Sequence, residues 1–217
     1  MPTRWVALDV GETLIDETRV WSTWADELGI TRLTFMAAFG AVLDRGLDFR
    51  HVFELVGRPD WRSRMDAVEA RYGGFVAEDL YPDAHSAVDG LQTLGYRVAI
   101  VANQPAIRSA QLRALGFAPD VMAMSDEWGV RKPDPAFFAR ALELMGGPDV
   151  GDVAYVGDRV DNDILPSAAA GMRPVWLRRG PFGVITGSVP AEAVLVVDSL
   201  TELVERIGTC WTGATAT

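Results

Sequence analysis

Cysteine is almost missing from this sequence. With Cys210 alone in 217 residues, no intramolecular disulfide and no thiolate zinc site can be built. A basic surplus is missing too. Thirty acidic residues against twenty basic ones leave a net charge of −10, which argues against nucleic acid as a partner and offers no anchor for an acidic membrane. No apolar run approaches the length of a membrane span, and no basic region followed by a long apolar stretch opens the chain. A cytoplasmic protein with neither membrane nor nucleic-acid partner is therefore expected. Internal repeats and low-complexity segments are absent as well. What is present is 49% hydrophobic and 23% charged, enough for one large core, or for a core with a smaller insertion.

Periodicity divides the chain into parts. "RWVALD" (4–9) reads as one buried strand. From 16 to 83 the pattern is helical throughout. "TRVWSTWADELG" places Trp21, Trp24, Ala25 and Leu28 on one face and stops at Gly29. "TRLTFMAAFGAVLDRG", "DFRHVFELVG" and "PDWRSRMDAVEARYGG" give three more helices, so a helical bundle is predicted. Its tryptophans Trp21, Trp24 and Trp61 read as packing. Strands and helices then alternate. "YRVAIVAN", "VMAMS", "DVAYVGD", "RPVWLR" and "AVLVV" are strands. "PAIRSAQLRALGF", "DPAFFARALELMGG", "NDILPSAAAG" and "SLTELVERIG" are helices, the second with Asp134 as N-cap and Pro135 at its first position, the third kinked or begun late by Pro166. Alternation of this kind predicts an α/β fold, a Rossmann-like parallel sheet with helices on both faces. Residues 1–15 and 84–208 would form this core, 16–83 a helical cap, and 209–217 an unstructured tail. An insertion after the first strand hangs over the carboxyl ends of the strands, where open α/β sheets bind ligands. It would serve as a lid.

The polar residues at those strand ends can be collected. Asp9 ends the first strand, and Ala102 and Asn103 end the second. Lys132 precedes a helix, Asp158 ends "VAYVGD", and Asp163 follows in "GDRVDND". Three carboxylates brought together resist ionising. A cation resolves the repulsion, and Mg²⁺ accepts carboxylates, a backbone carbonyl, waters and a substrate phosphate.

The ordered set "DVGET", "VANQ", "RKPDP" and "GDRVDND" resembles the haloacid dehalogenase superfamily over nearly the whole chain. That resemblance implies a Mg²⁺-dependent phosphatase acting on a small phosphorylated metabolite through an aspartyl-phosphate. Asp9 matches the nucleophile, Thr13 the hydroxyl closing the first motif's turn, and Lys132 the lysine steadying nucleophile and phosphoryl charge. Asp158 matches the acidic metal ligand, Asp163 a second acid that ligates or supports, and the Gly11 carbonyl a further ligand.

Two positions depart from the pattern. Phosphatases of this superfamily usually follow D-x-D, and the second acid protonates the leaving oxygen; here Gly11 stands in its place. The Ser or Thr usual in the second motif is Ala102, for which the Asn103 amide can substitute. Three readings follow. Glu12 swings in as acid–base, or the leaving group needs no proton, or the chemistry is not that of a phosphatase. A metal-independent 2-haloacid dehalogenase and a non-catalytic binding protein on the same fold remain alternatives. The retained Gly157-Asp158 favours a metal enzyme, and the absence of lysine from 16 to 83 disfavours a Schiff-base phosphonate hydrolase. Arg58, in the helical segment, is a candidate for meeting an anionic substrate. Neither monomer nor homodimer is required by the pattern.

Overall fold

The computed structural model describes residues 3–212. Strand β1 (Trp5–Leu8) is followed by helices α1 (Thr18–Glu27), α2 (Arg32–Asp44), α3 (His51–Leu55) and α4 (Met65–Tyr72). Next come α5 (Ala84–Thr93), β2 (Arg97–Ala102), α6 (Ile107–Ala114), β3 (Val121–Met124), α7 (Ser125–Trp128) and α8 (Pro135–Leu144). The chain continues through β4 (Val153–Gly157), α9 (Leu165–Ala169), β5 (Arg173–Leu177), α10 (Gly180–Ile185), β6 (Leu195–Val197) and α11 (Leu200–Arg206).

The six strands are all parallel, in the order β3-β2-β1-β4-β5-β6. Alternate strand residues feed two apolar clusters, so both faces are buried, as parallel sheets require. Val6, Leu8, Val98, Ile100 and Val156 pack with residues of α5, α6 and α11. Trp5, Ala7, Ala99, Val101 and Tyr155 pack with Phe137, Phe138 and Ala141 of α8. Helices α1 to α4 close a third cluster among themselves, around Trp24, Phe35, Phe39 and Phe53. Phe182 of α10 reaches into that cluster, its ring 6.0 Å from that of Phe39. Trp24 and Trp61 pack against Phe53, as expected for apolar residues at helical spacing.

In "NDILPSAAAG" the late start expected from Pro166 is seen, with a wide turn at Val160–Ile164 before α9. Pro166 cannot donate a backbone hydrogen bond, so regular helix starts beside it. Helices α5, α7 and α10 were not anticipated by the pattern. The tail expected from 209 on is structured as far as it is described. Ile207–Trp211 forms a 3₁₀ turn, Cys210 is buried, and Trp211 stacks on Tyr96 at 5.7 Å. The rest of that expectation, 213–217, lies outside the described residues.

Candidate active site

Strand register explains how residues far apart in sequence converge. Leu8 of β1 pairs with Ile100 of β2 on one side and with Val156 of β4 on the other. The residues just past these strands therefore share one edge. The strand order reverses direction between β1 and β4, and at such a switch point a crevice opens.

At this edge Asp9, Asp158 and Asp163 are all buried, and one carboxylate oxygen from each lies within 4.8 Å of the others. Lys132, the only lysine in the sequence, is fully enclosed between them. Its Nζ is 2.9 Å from Asp9 Oδ1 and 2.5 Å from Asp163 Oδ1. The second oxygen of Asp163 accepts from the Arg159 amide at 3.0 Å. Gly157 makes this approach possible, because a Cβ there would lie 2.4 Å from the Asp163 carboxyl. Asp158 Oδ2, by contrast, is buried with no hydrogen-bond partner among the described residues. Three carboxylates thus face one ammonium. Burial, together with the charges of Asp163 and Asp9, pushes Asp158 well above the ordinary carboxylate range. Burial also raises Asp163 to about 6, against the pull of Lys132. Burial alone would lower Lys132, but the Asp163 and Asp9 carboxylates outweigh it and hold the ammonium charged.

Asn103 is occupied differently from the expectation of a substrate ligand. Its amide spans the backbone of Lys132, accepting from its N–H at 2.8 Å and donating to its carbonyl at 2.9 Å. Both ends of the side chain are used, so Asn103 fixes the lysine in place. Ala102 packs in the apolar cluster on its face of the sheet and offers the site no side-chain contact. The Thr13 hydroxyl is buried at the turn with no partner among the described residues. Arg58 is not brought to the cluster. Its guanidinium lies against the carbonyls of Leu28 and Gly57.

Glu12 is the stand-in acid of one of the three readings, and its carboxylate is already engaged. One oxygen accepts from the Tyr81 hydroxyl and the other from the Glu17 amide at 3.0 Å. The same carboxylate occupies space beside Gly180, where a Cβ would be 2.3 Å from it. Glu12 sits at φ 50°, holding the turn after Asp9 in a left-handed conformation.

The residue the sequence reading missed is Glu17. A Cβ on Gly11 would lie 2.4 Å from Glu17 Oε1, so the Glu17 carboxyl fills the hole left by the glycine. Its other oxygen accepts from Trp21 Nε1 at 3.3 Å. Burial first, then the neighbouring Glu12 and Asp9 charges, raise Glu17 to about 7 from 4.5. Between those values the folded chain keeps a proton that the unfolded chain has released. The stability this supplies is complete below about pH 4.5 and is lost as pH rises through 7. Glu17→Gln is expected to make the fall of metal-free Tm with pH shallower over that window. Asp163, raised in the same sense, keeps part of the slope. Thermal denaturation of both proteins across the window checks this, and identical slopes would refute it.

Two clefts of about 290 and 340 Å³ lie beside the segment after α10, the second also lined by Arg159, Val160 and Asp161, which join Asp158 to Asp163. Neither is lined by Asp9, Asp158 or Asp163. Acidic, basic and unsatisfied groups converge at the three carboxylates, which makes that edge the candidate site.

A family model described as haloacid dehalogenase-like hydrolase matches residues 3–171. Phosphoserine phosphatase of Thermus thermophilus is 32% identical over 136 residues, covering 61% of this chain and 53% of that protein. Glyceraldehyde 3-phosphate phosphatase of Pyrococcus abyssi is 26% identical over 197 residues, 81% of each chain. The chain spans about half the length of most curated relatives it matches. Among solved structures, a HAD phosphatase from Thermococcus onnurineus is 23% identical with a TM-score of 0.62, covering 95% of this chain and 99% of that one. A 2-haloacid dehalogenase from Pseudomonas syringae is 20% identical with a TM-score of 0.60, covering 95% and 98%. At such identities these structures show a shared fold, and two different chemistries share it.

Proposed function

The chain belongs to the haloacid dehalogenase-like hydrolases, and from that premise we propose that it is a Mg²⁺-dependent phosphatase of small phosphorylated metabolites, with Asp9 as nucleophile. The observation that carries this reading is the charge imbalance at the strand ends. A buried Asp158 oxygen has no partner, and three carboxylates have one lysine between them. Such a donor set fits a hard divalent cation taking oxygen ligands. Asp9, Asp158 and the Gly11 carbonyl would hold it. Asp163, tied to Lys132 and the Arg159 amide, would steady the arrangement from behind. When bound, Mg²⁺ would screen the repulsion between the Asp9 carboxylate and the phosphate it attacks.

The chain's own groups divide the remaining work. The free oxygen of Asp9 attacks phosphorus in line, displacing the ester oxygen and forming a mixed anhydride. Lys132, 2.9 Å from the other oxygen, keeps Asp9 ionised and oriented and offsets charge on the phosphoryl group. Asn103 holds Lys132 by its backbone. Helices α1 to α4 form the cap proposed for 16–83, which limits water at the first step. The relatives' names point to esters such as phosphoserine and glyceraldehyde 3-phosphate as the substrate class.

Phosphate release from phosphoserine, glyceraldehyde 3-phosphate, phosphoglycolate and acetyl phosphate, with Mg²⁺ and with chelator, tests the proposal. Release is expected with Mg²⁺ and not with chelator. Chelator-resistant halide release from 2-chloropropionate, with no phosphate release, would replace this reading with a dehalogenase. Turnover of nothing by folded, Mg²⁺-binding protein would favour a binding role.

A further inference from the structure

We propose that Glu17 supplies the acid–base carboxyl that position 11 lacks. This rests on the reading of Asp9 as nucleophile and adds a second reacting side chain to it.

Gly11 lies two residues beyond Asp9, on the same turn. The first atom of any side chain at position 11 would fall 2.4 Å from Glu17 Oε1 and 2.9 Å from its Cδ. The Glu17 carboxyl therefore occupies the volume that a side chain on residue 11 would fill. It comes from the segment entering α1, not from the nucleophile's own turn.

Its surroundings hold it there. Trp21, one helical turn on, donates to Oε2 at 3.3 Å. The Glu17 amide donates to Glu12 Oε1 at 3.0 Å, which fixes the backbone that carries the side chain. Glu12 is the rival acid, but Tyr81 and the Glu17 amide already hold both its oxygens. Of the two glutamates near the turn, one is a strut and the other reaches the gap.

The proton balance closes without another reactant. As Asp9 attacks, the bond from phosphorus to the ester oxygen breaks. The Glu17 carboxylic acid gives its proton to that oxygen, releasing an alcohol and leaving a carboxylate. Water then enters. The Glu17 carboxylate takes one of its protons while the oxygen attacks phosphorus, the bond from phosphorus to Asp9 breaks, and phosphate leaves. Glu17 is again protonated and Asp9 again ionised.

Relocating the carboxyl tests the idea. Glu17→Ala, Gly11→Asp and the double variant Gly11→Asp/Glu17→Ala would be compared with the parent chain. In single turnovers with phosphoserine, Glu17→Ala is expected to slow serine release by about 100- to 10,000-fold. With acetyl phosphate, whose leaving group needs no proton, phosphorylation of Asp9 should stay near the parent rate, and the phosphoenzyme should accumulate because the water step is slowed. A purely structural residue would not separate the two substrates. Gly11→Asp alone should lower Tm, since its side chain meets the Glu17 carboxyl, and the double variant should regain both Tm and serine release. The proposal is overturned if Glu17→Ala releases serine within about threefold of the parent, or if Gly11→Asp leaves Tm unchanged. The nucleophile reading fails separately, if Asp9→Asn still turns over these substrates.

Discussion

Asp9→Asn is expected to reduce phosphate release by at least about 10⁴-fold, the scale on which removal of a nucleophile acts. The amide matches the carboxylate in shape and can still accept from Lys132, so the site should keep its form. What it loses is the negative oxygen proposed to attack. The same substitution removes one of three crowded carboxylates, and Asp158, raised by burial and then by the Asp163 and Asp9 charges, is partly relieved. Metal-free Asp9→Asn should therefore be at least as stable as the parent, while the rise in Tm on adding Mg²⁺ should shrink. Activity assays and thermal melts with and without Mg²⁺ read both effects. Lost stability together with lost activity would mean that Asp9 is a structural residue.

The second large effect is expected at Lys132. Lys132→Met keeps length and volume, and the Phe137 and Tyr155 rings, 5.8 and 5.3 Å from Nζ, would accept the thioether. The charge has no substitute. Asp9 and Asp163 would be left facing each other and Asp158 with no cation. Breaking a buried pair costs about 3–5 kcal/mol. For a chain of this length that lowers metal-free Tm by on the order of 10 °C. Mg²⁺ should recover part of the loss, since it brings back positive charge. Turnover should remain down by about 100- to 1,000-fold even with Mg²⁺, because the phosphoryl oxygens lose a charged donor. A variant with parental Tm would show that the lysine does not hold the carboxylates together.

Much of this was legible in the sequence. Each of the six strands was visible as a short apolar run, and parallel pairing followed from alternation with helices. The Asp134 N-cap is seen accepting from the Ala136 amide at 2.9 Å. Other elements were not legible. Helix α5 carries Ala84, Ala87, Val88 and Leu91 at helical spacing, but its small residues and Gly90 blur the pattern. Helix α10 opens on Gly180 and Pro181, which read as a breaker. It forms where Phe182, partly buried, packs against the rings of Phe39 and Phe49, a gain that only the assembled chain supplies.

The site divides along the same line. Asp9, Lys132, Asp158 and Asp163 were identifiable because each sits next to an apolar strand or a helix start, and strand pairing must then bring them to one edge. That much the sequence by itself determined. Local pattern carries strand ends, and parallel topology converts strand ends into a shared site. The direction in which side chains reach was decided only by the tertiary structure. Asn103 and Lys132 are 29 residues apart, and no spacing reveals that one amide clasps the other's backbone. Glu12 adjoins the motif yet bonds Tyr81, 69 residues on. Glu17 looks like a residue at a helix entrance, and only the fold brings its carboxyl to Gly11. Hydrogen bonds and close packing act over a few ångströms of space, whatever the distance along the chain.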